Sequence, residues 1–251
     1  MKNTIRAEYL KVRTILAHWV LTIVALAFPL VVVTLVAFLG DFDIGVESDE
    51  IAGLIAGLAV VSAMVLGAMT TISLTGDYGH NTIRPTYAAT PVRWRVIASK
   101  LVVNSTLVVI VTAVAVFGSW LIASVILSAR GTSISIGDDG VVATLMAVLA
   151  LAVIVSIFGF GLGLVIRNSP VTITVLLLWP LLIESLIGLV LALIGWEGAG
   201  KWLPYQAAIT AVGNDGGSDD VLGRPLGLVY FGVVSLVIVG VGTFLDHRRD
   251  A

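Results

Sequence analysis

One ionisable residue lies inside an apolar run: Glu184, in Pro180-Leu-Leu-Ile-Glu-Ser-Leu186. A carboxylate near the bilayer centre costs about 2.5–3.5 kcal/mol on insertion scales, so the group needs a compensating role. As a functional group it would line a pathway or respond to protons. As a structural group it would take a hydrogen bond from a Ser, a Trp or a backbone N–H of a neighbouring helix, or lie close enough to the outer interface to be wet. Other catalytic residue types are dispersed. His18, His80 and His247 sit near the ends of apolar runs, far apart in sequence, with no His-x-x-x-His or Glu-x-x-His pattern. No metal site is expected from them. Ser119 lies inside an apolar run with no histidine at its depth, which argues against a serine hydrolase in the membrane. The absence of cysteine removes thiolate nucleophiles, thiolate metal sites and disulfides. No Gly-x-x-x-x-Gly-Lys-Ser/Thr is present to cradle a phosphate, so the chain is not expected to hydrolyse nucleotides. The expectation is a protein that is not an enzyme and holds no cofactor of its own.

The denser set of functional side chains is a polar island from Gly76 to Lys100. It carries Arg84, Arg93, Arg95 and Lys100 against a single acid, Asp77. Pro85 and Pro91 break it into short pieces, because proline lacks an amide donor and disfavours helix in the residue before it. Tyr78, Ile83, Tyr87 and Trp94 are residue types that anchor a docking surface or a headgroup interface. Gly, Ser and acidic residues, which mark a plain linker, do not dominate. A membrane protein tolerates such a segment only where water or protein covers its backbone. The island is expected to be a cytoplasmic docking element.

The elements that position these groups follow from composition. Of 251 residues, 58% are hydrophobic and 12% charged, with a mean hydropathy of +1.07. A soluble domain would carry about a quarter charged residues, so this is read as an integral membrane protein. The formal net charge of −2 is less informative than the distribution. Residues 1–14 are basic, and Ile5, Tyr9 and Val12 recur at helical spacing, predicting an interfacial helix. Apolar runs at roughly 15–39, 51–75, 96–127, 141–166, 171–195 and 225–245 predict six spans in one all-α membrane domain covering residues 1–251. The first run is long enough to span and is read as an uncleaved span rather than a signal peptide. An apolar patch at Ala207–Val212 is too short to span and predicts a re-entrant or interfacial segment before the sixth span.

With both termini inside, eleven of the fourteen Lys and Arg residues are cytoplasmic, and only Arg130, Lys201 and Arg224 lie outside. Positive charge on short inner loops therefore places the island and the Arg167-Asn-Ser-Pro170 turn in the cytoplasm. Two Gly-x-x-x-Gly pairs, Gly53 with Gly57 and Gly159 with Gly163, allow close helix approach. Packing within the chain is the plainer role for them and a dimer seam the sharper one.

The segment Asp77-Tyr-Gly-His-Asn-Thr-Ile-Arg84, followed by Pro91-Val-Arg-Trp-Arg95 and Lys100, resembles the cytoplasmic segment after the second span of type-2 ABC exporter permeases. Glu8-Tyr-Leu-Lys11, Arg167-Asn-Ser-Pro170 and Trp202-Leu-Pro204 agree with the same family. Asn81 stands where glycine is commoner, and Asp77 where glutamate is frequent. The resemblance implies a half-size permease in a bacterial plasma membrane. It would pair with a second permease, identical or related, and with separate ATPase subunits that bind ATP and Mg. Asp77, Tyr78, Thr82, Ile83, Arg84, Tyr87 and Arg93 would then form the coupling element on the ATPase. The second and fifth spans would line the cavity for efflux of drugs, peptides or lipids. No nucleic-acid partner is implied. The alternative is an ATP-independent channel or a membrane-assembly scaffold, which explains the helices but not the structured basic island.

Overall fold

A computed structural model describes residues 2–40, 47–90, 92–213 and 222–248, with the side chains of Lys2, Arg84, Ala89 and Glu197 excepted. Asp41, Asp43, Pro91 and Ser218 therefore lie outside the described residues. Within them the chain is all-helical. Helices α1 (Lys2–Thr14), α2 (Leu16–Leu39), α3 (Ser48–Gly79), α4 (Ile83–Ala89) and α5 (Arg93–Ala129) come first. They are followed by α6 (Val141–Ile166), α7 (Ser169–Leu178), α8 (Ser185–Leu193), α9 (Pro204–Val212) and α10 (Arg224–Arg248). Six stretches are long and apolar enough to cross a membrane: α2, α3, α5, α6, residues 169–193 and α10. They are consistent with a multi-pass membrane protein, in which each helix satisfies its own backbone hydrogen bonds.

Helices α3 and α6 form the centre. Over half of their apolar windows is buried, 56% in each, against 11% for residues 169–193. Small residues bring the two helices together. A Cβ at Gly159 would lie 2.9 Å from both the Gly67 carbonyl oxygen and Thr71 Oγ1. In the space left free, Thr71 Oγ1 donates to the Gly159 carbonyl at 3.0 Å. Gly163 meets Leu74 and Thr75 in the same seam. The other pair behaves differently. Among the described residues Gly53 and Gly57 have nothing within 4 Å of a built Cβ, and they border an open groove of about 270 Å³ with Thr144 and Val212. Internal packing, the plainer role expected of both pairs, is therefore not supplied at Gly53 and Gly57 by the described residues.

Several boundaries depart from the sequence expectation, among them the end of the sixth span, which continues past 245 to Arg248 and carries Asp246 on α10. The second span, expected at 51–75, continues to Gly79, so Asp77 and Tyr78 ride on α3 rather than in a loop. The third, expected at 96–127, begins at Arg93. Lys100, which already lay inside the expected run, and Asp77 are further ionisable residues within spanning helices, beside Glu184. The fifth, expected as an unbroken run at 171–195, is split by a π-helical turn over Trp179–Glu184. Pro180 has no N–H for the carbonyl four residues back and its ring crowds that carbonyl, so the helix widens locally. The fourth span, Val141–Ile166, matches its expected bounds. It stops at Arg167 in the left-handed region (φ 58°), and Asn168 Oδ1 then caps α7 by accepting from Val171 N at 3.1 Å.

Candidate functional site

Asp77 and Tyr78, adjacent at the end of α3, each enter a separate buried polar cluster. In the first, Lys100 Nζ of α5 lies 2.7 Å from Glu8 Oε2 of α1 and 2.6 Å from Asp77 Oδ2. Lys11 Nζ reaches Asp77 Oδ2 at 3.0 Å and Glu8 Oε1 at 3.4 Å. Two cations thus face two carboxylates, with Lys100 at 0% and Glu8 at 4% exposure. A charge taken so far from water persists only when paired and hydrogen-bonded on its remaining sides. Thr82 Oγ1 meets part of that need by donating to Asp77 Oδ1 at 2.9 Å. Burial alone would lower the Lys11 pKa. The facing carboxylates of Glu8 and Asp77 outweigh burial and hold it above the ordinary lysine value.

In the second cluster the centre is Asp246, fully buried near the end of α10. Tyr78 Oη donates to its Oδ1 at 2.7 Å and Tyr87 Oη to its Oδ2 at 2.8 Å. Arg167 Nη2 donates to Oδ1 at 2.6 Å, and Arg93 Nη1 to the Asp246 carbonyl at 2.9 Å. The guanidinium of Arg167 lies over the Tyr78 ring and that of Arg93 over the Tyr87 ring. Burial, with the Asp246 carboxylate in front of it, raises the Tyr87 phenol and keeps it a donor. Ile83 and Tyr87 pack with Val96 and Tyr78 in a small core under α4.

The island is therefore turned inward more than expected. Tyr78, Ile83 and Tyr87, predicted as anchors for an outside surface, instead anchor α4 to this chain. The outward face is the turn His80–Thr82 together with Pro85 and Ala88. Trp94 is half exposed. Asn81 has φ 57°, a left-handed conformation that glycine adopts freely and asparagine tolerates, which gives a physical reason for either residue at that position. Arg93 joins the Asp246 cluster. Asp77 and Thr82 bond each other across the turn.

Glu184 lies at the opposite end of the bundle, about 22 Å from Ser169 at the usual helical rise. It is 3% exposed. Its Oε1 accepts from Trp179 Nε1 at 2.7 Å and from Tyr205 N at 2.8 Å, while Oε2 accepts from Gln206 N at 2.8 Å. The carboxylate thereby caps α9, whose first N–H groups would otherwise lack partners and whose dipole favours an anion there. That geometry is the hydrogen-bonding role weighed from sequence, with a Trp and backbone groups as the donors.

Glu8 and Asp246 are the central residues that sequence reasoning did not select. Glu8 had a signal, as the lone acid in a basic segment. Asp246 looked like one more charge in a polar tail. The histidines do not converge. His18 is buried in α2, and the exposed His80 and His247 sit 2.8 and 2.9 Å from carbonyls of their own helices. Among the described residues no group of three or more His, Asp and Glu is placed to hold a metal. No protein-family model, characterised protein or solved structure matches the chain.

Proposed function

We propose that this chain is the membrane permease subunit of an ATP-driven exporter of the type-2 ABC kind, working with a separate ATPase and a second permease. On this proposal both termini and α4 face the cytoplasm, α1 lies in the inner interface, and α9 is a re-entrant segment on the outer side. The supporting observation is the pairing of Asp77 with Tyr78. Through these neighbours the end of α3 is tied to α1 and α5 in one cluster, and to α4, α6 and α10 in the other. A push on the exposed His80–Thr82 turn would therefore reach most of the spans at once. Side-chain ion pairs of this kind can break and reform between two arrangements, as an inward-open to outward-open switch requires. The π-helical turn supplies a point of lower stiffness in the fifth span. ATP and Mg belong to the partner, and this chain contributes the two-state element.

The test is to tag the chain in its host membrane, isolate it in mild detergent and identify what accompanies it. An ATPase in stoichiometric amount is expected. Arg84→Glu should reduce that association, whereas Asp246→Asn should retain the ATPase but lose permease-dependent stimulation of ATP turnover. A membrane-inserted wild-type chain that brings down no ATPase would remove the proposal.

A further inference from the structure

A crevice runs between α1, α5 and the start of α2. Its wider part, about 440 Å³, is walled by Ile5 and Val12 of α1 and by Val102, Leu107 and Ile110 of α5, with Arg6 at the rim. The adjoining part, about 380 Å³, shares Tyr9, Val12 and Leu107 with the first and adds Arg13, His18, Trp19 and Thr22. The two parts therefore form one continuous groove, apolar along α5 and cationic where α1 crosses it.

Three observations point to an occupant. Val102 and Ile110 are about half exposed and continue the apolar surface of α5. The ion pairs among the described residues involve neither Arg6 nor Arg13, and both side chains are exposed beside the groove. His18 is 2% exposed, yet neither ring nitrogen has a hydrogen-bond partner among the described residues. An imidazole always carries at least one N–H donor, and a buried donor left unpaired is costly. The groove thus offers an apolar wall along α5, two guanidinium groups that make no ion pair among the described residues, with Arg13 over the Tyr9 ring, and a buried ring N–H with no acceptor among them.

We propose that this crevice binds an anionic phospholipid, with an acyl chain along Val102, Leu107 and Ile110. The phosphate lies within reach of Arg6 and Arg13, and His18 donates to a lipid oxygen. Arginine suits the phosphate because its planar fork can donate two parallel hydrogen bonds. The site is distinct from the Glu8–Lys100 pair, which occupies the inward face of α1, and it holds whether or not an ATPase partners the chain.

The test uses the full-length chain in nanodiscs of phosphatidylcholine, titrated with phosphatidylglycerol. Bound lipid is counted by native mass spectrometry, and folding is followed by circular dichroism. Wild type should retain phosphatidylglycerol in preference to phosphatidylcholine. Arg6→Gln and Arg13→Gln should each weaken that preference about fivefold, the usual contribution of one basic residue near an anionic surface. Thr106→Trp, which fills the groove from its exposed side, should displace the lipid with helicity unchanged. Arg248→Gln, which removes an exposed cation of α10 that does not line the crevice, is the control and should leave retention intact. Equal retention of the two lipids would overturn the proposal. So would loss in Arg248→Gln as large as in the α1 variants, which would mean attraction to bilayer charge in general.

Discussion

At one end of the bundle Glu8, Asp77 and Asp246 are held by ammonium, guanidinium and phenol groups. At the other end Glu184 is held by two backbone N–H groups and an indole. The first arrangement joins elements distant in sequence: Lys100 meets Glu8 across 92 positions and Tyr78 meets Asp246 across 168. Its donors stand on flexible side chains that can exchange partners. The second spans at most 22 positions and draws two of its three donors from the backbone of α9. The helix geometry that supplies them cannot re-pair without unwinding. Buried charge is tolerated at both ends, but only the first suits a joint that moves. The second is an anchor.

The sharpest way to break the comparison is Lys100→Met. It removes the fully buried cation and leaves Glu8 and Asp77 facing each other with only the part-exposed Lys11 to pair them. Breaking a buried pair from one side costs about 3–5 kcal/mol, because the partner charge is stranded. The expected result is a large fall in thermal stability of the detergent-purified chain and loss of protection of α1 from proteolysis. Combining Lys100→Met with Glu8→Gln and Asp77→Asn should recover much of the loss, since the stranded charges are gone. No recovery in the triple variant would show that Lys100 acts through packing rather than charge.

The six apolar stretches were legible because a spanning helix needs only length and hydrophobicity, and the fourth was placed to the residue. The interruption of the fifth was signalled by Pro180, but proline in a span gives a kink, a break or a π-turn according to its neighbours. The polar clusters were legible as an island and not as contacts. Charge counting placed Lys100, Arg93 and Asp77 together. It could not show that Tyr78 and Tyr87 point inward, because their acceptor, Asp246, lies in a tail that composition alone marks as solvated. Glycine spacing likewise revealed two pairs, but not that one faces Thr71 and the other an open groove.

A smaller effect is expected at the anchor. Glu184→Gln keeps one carbonyl acceptor: with that oxygen in the Oε1 place it still accepts from Trp179 Nε1 and Tyr205 N, and the amide NH2 is turned toward Gln206 N–H. Losing one such bond to a charged acceptor costs about 1.5–3 kcal/mol, and the indole N–H can still be accommodated. The expected signature is local. Amide exchange should speed up across the first turn of α9, while protection of α1 stays at the wild-type level. If transport or its pH dependence changes while α9 remains protected, Glu184 serves a pathway and the anchor assignment fails.

The smallest effect separates the two glycine pairs. Gly159→Ala places a methyl 2.9 Å from a backbone oxygen that cannot retreat without moving α3, and overpacking of this kind costs about 1–3 kcal/mol. Gly53→Ala meets nothing within 4 Å and exchanges glycine for a better helix former. Its own fold should therefore change by no more than about 1 kcal/mol, and in the stabilising direction. The comparison becomes informative when stability and oligomeric state are read on the same samples. A Gly53→Ala chain as stable as wild type, and with the same mass in detergent, means the open groove is only a lipid-filled surface. A stable chain that loses self-association means Gly53 and Gly57 receive a helix of a second copy, the sharper role that their spacing allowed. A chain destabilised as much as Gly159→Ala would contradict the open groove itself, because a methyl with no neighbour has nothing to strain.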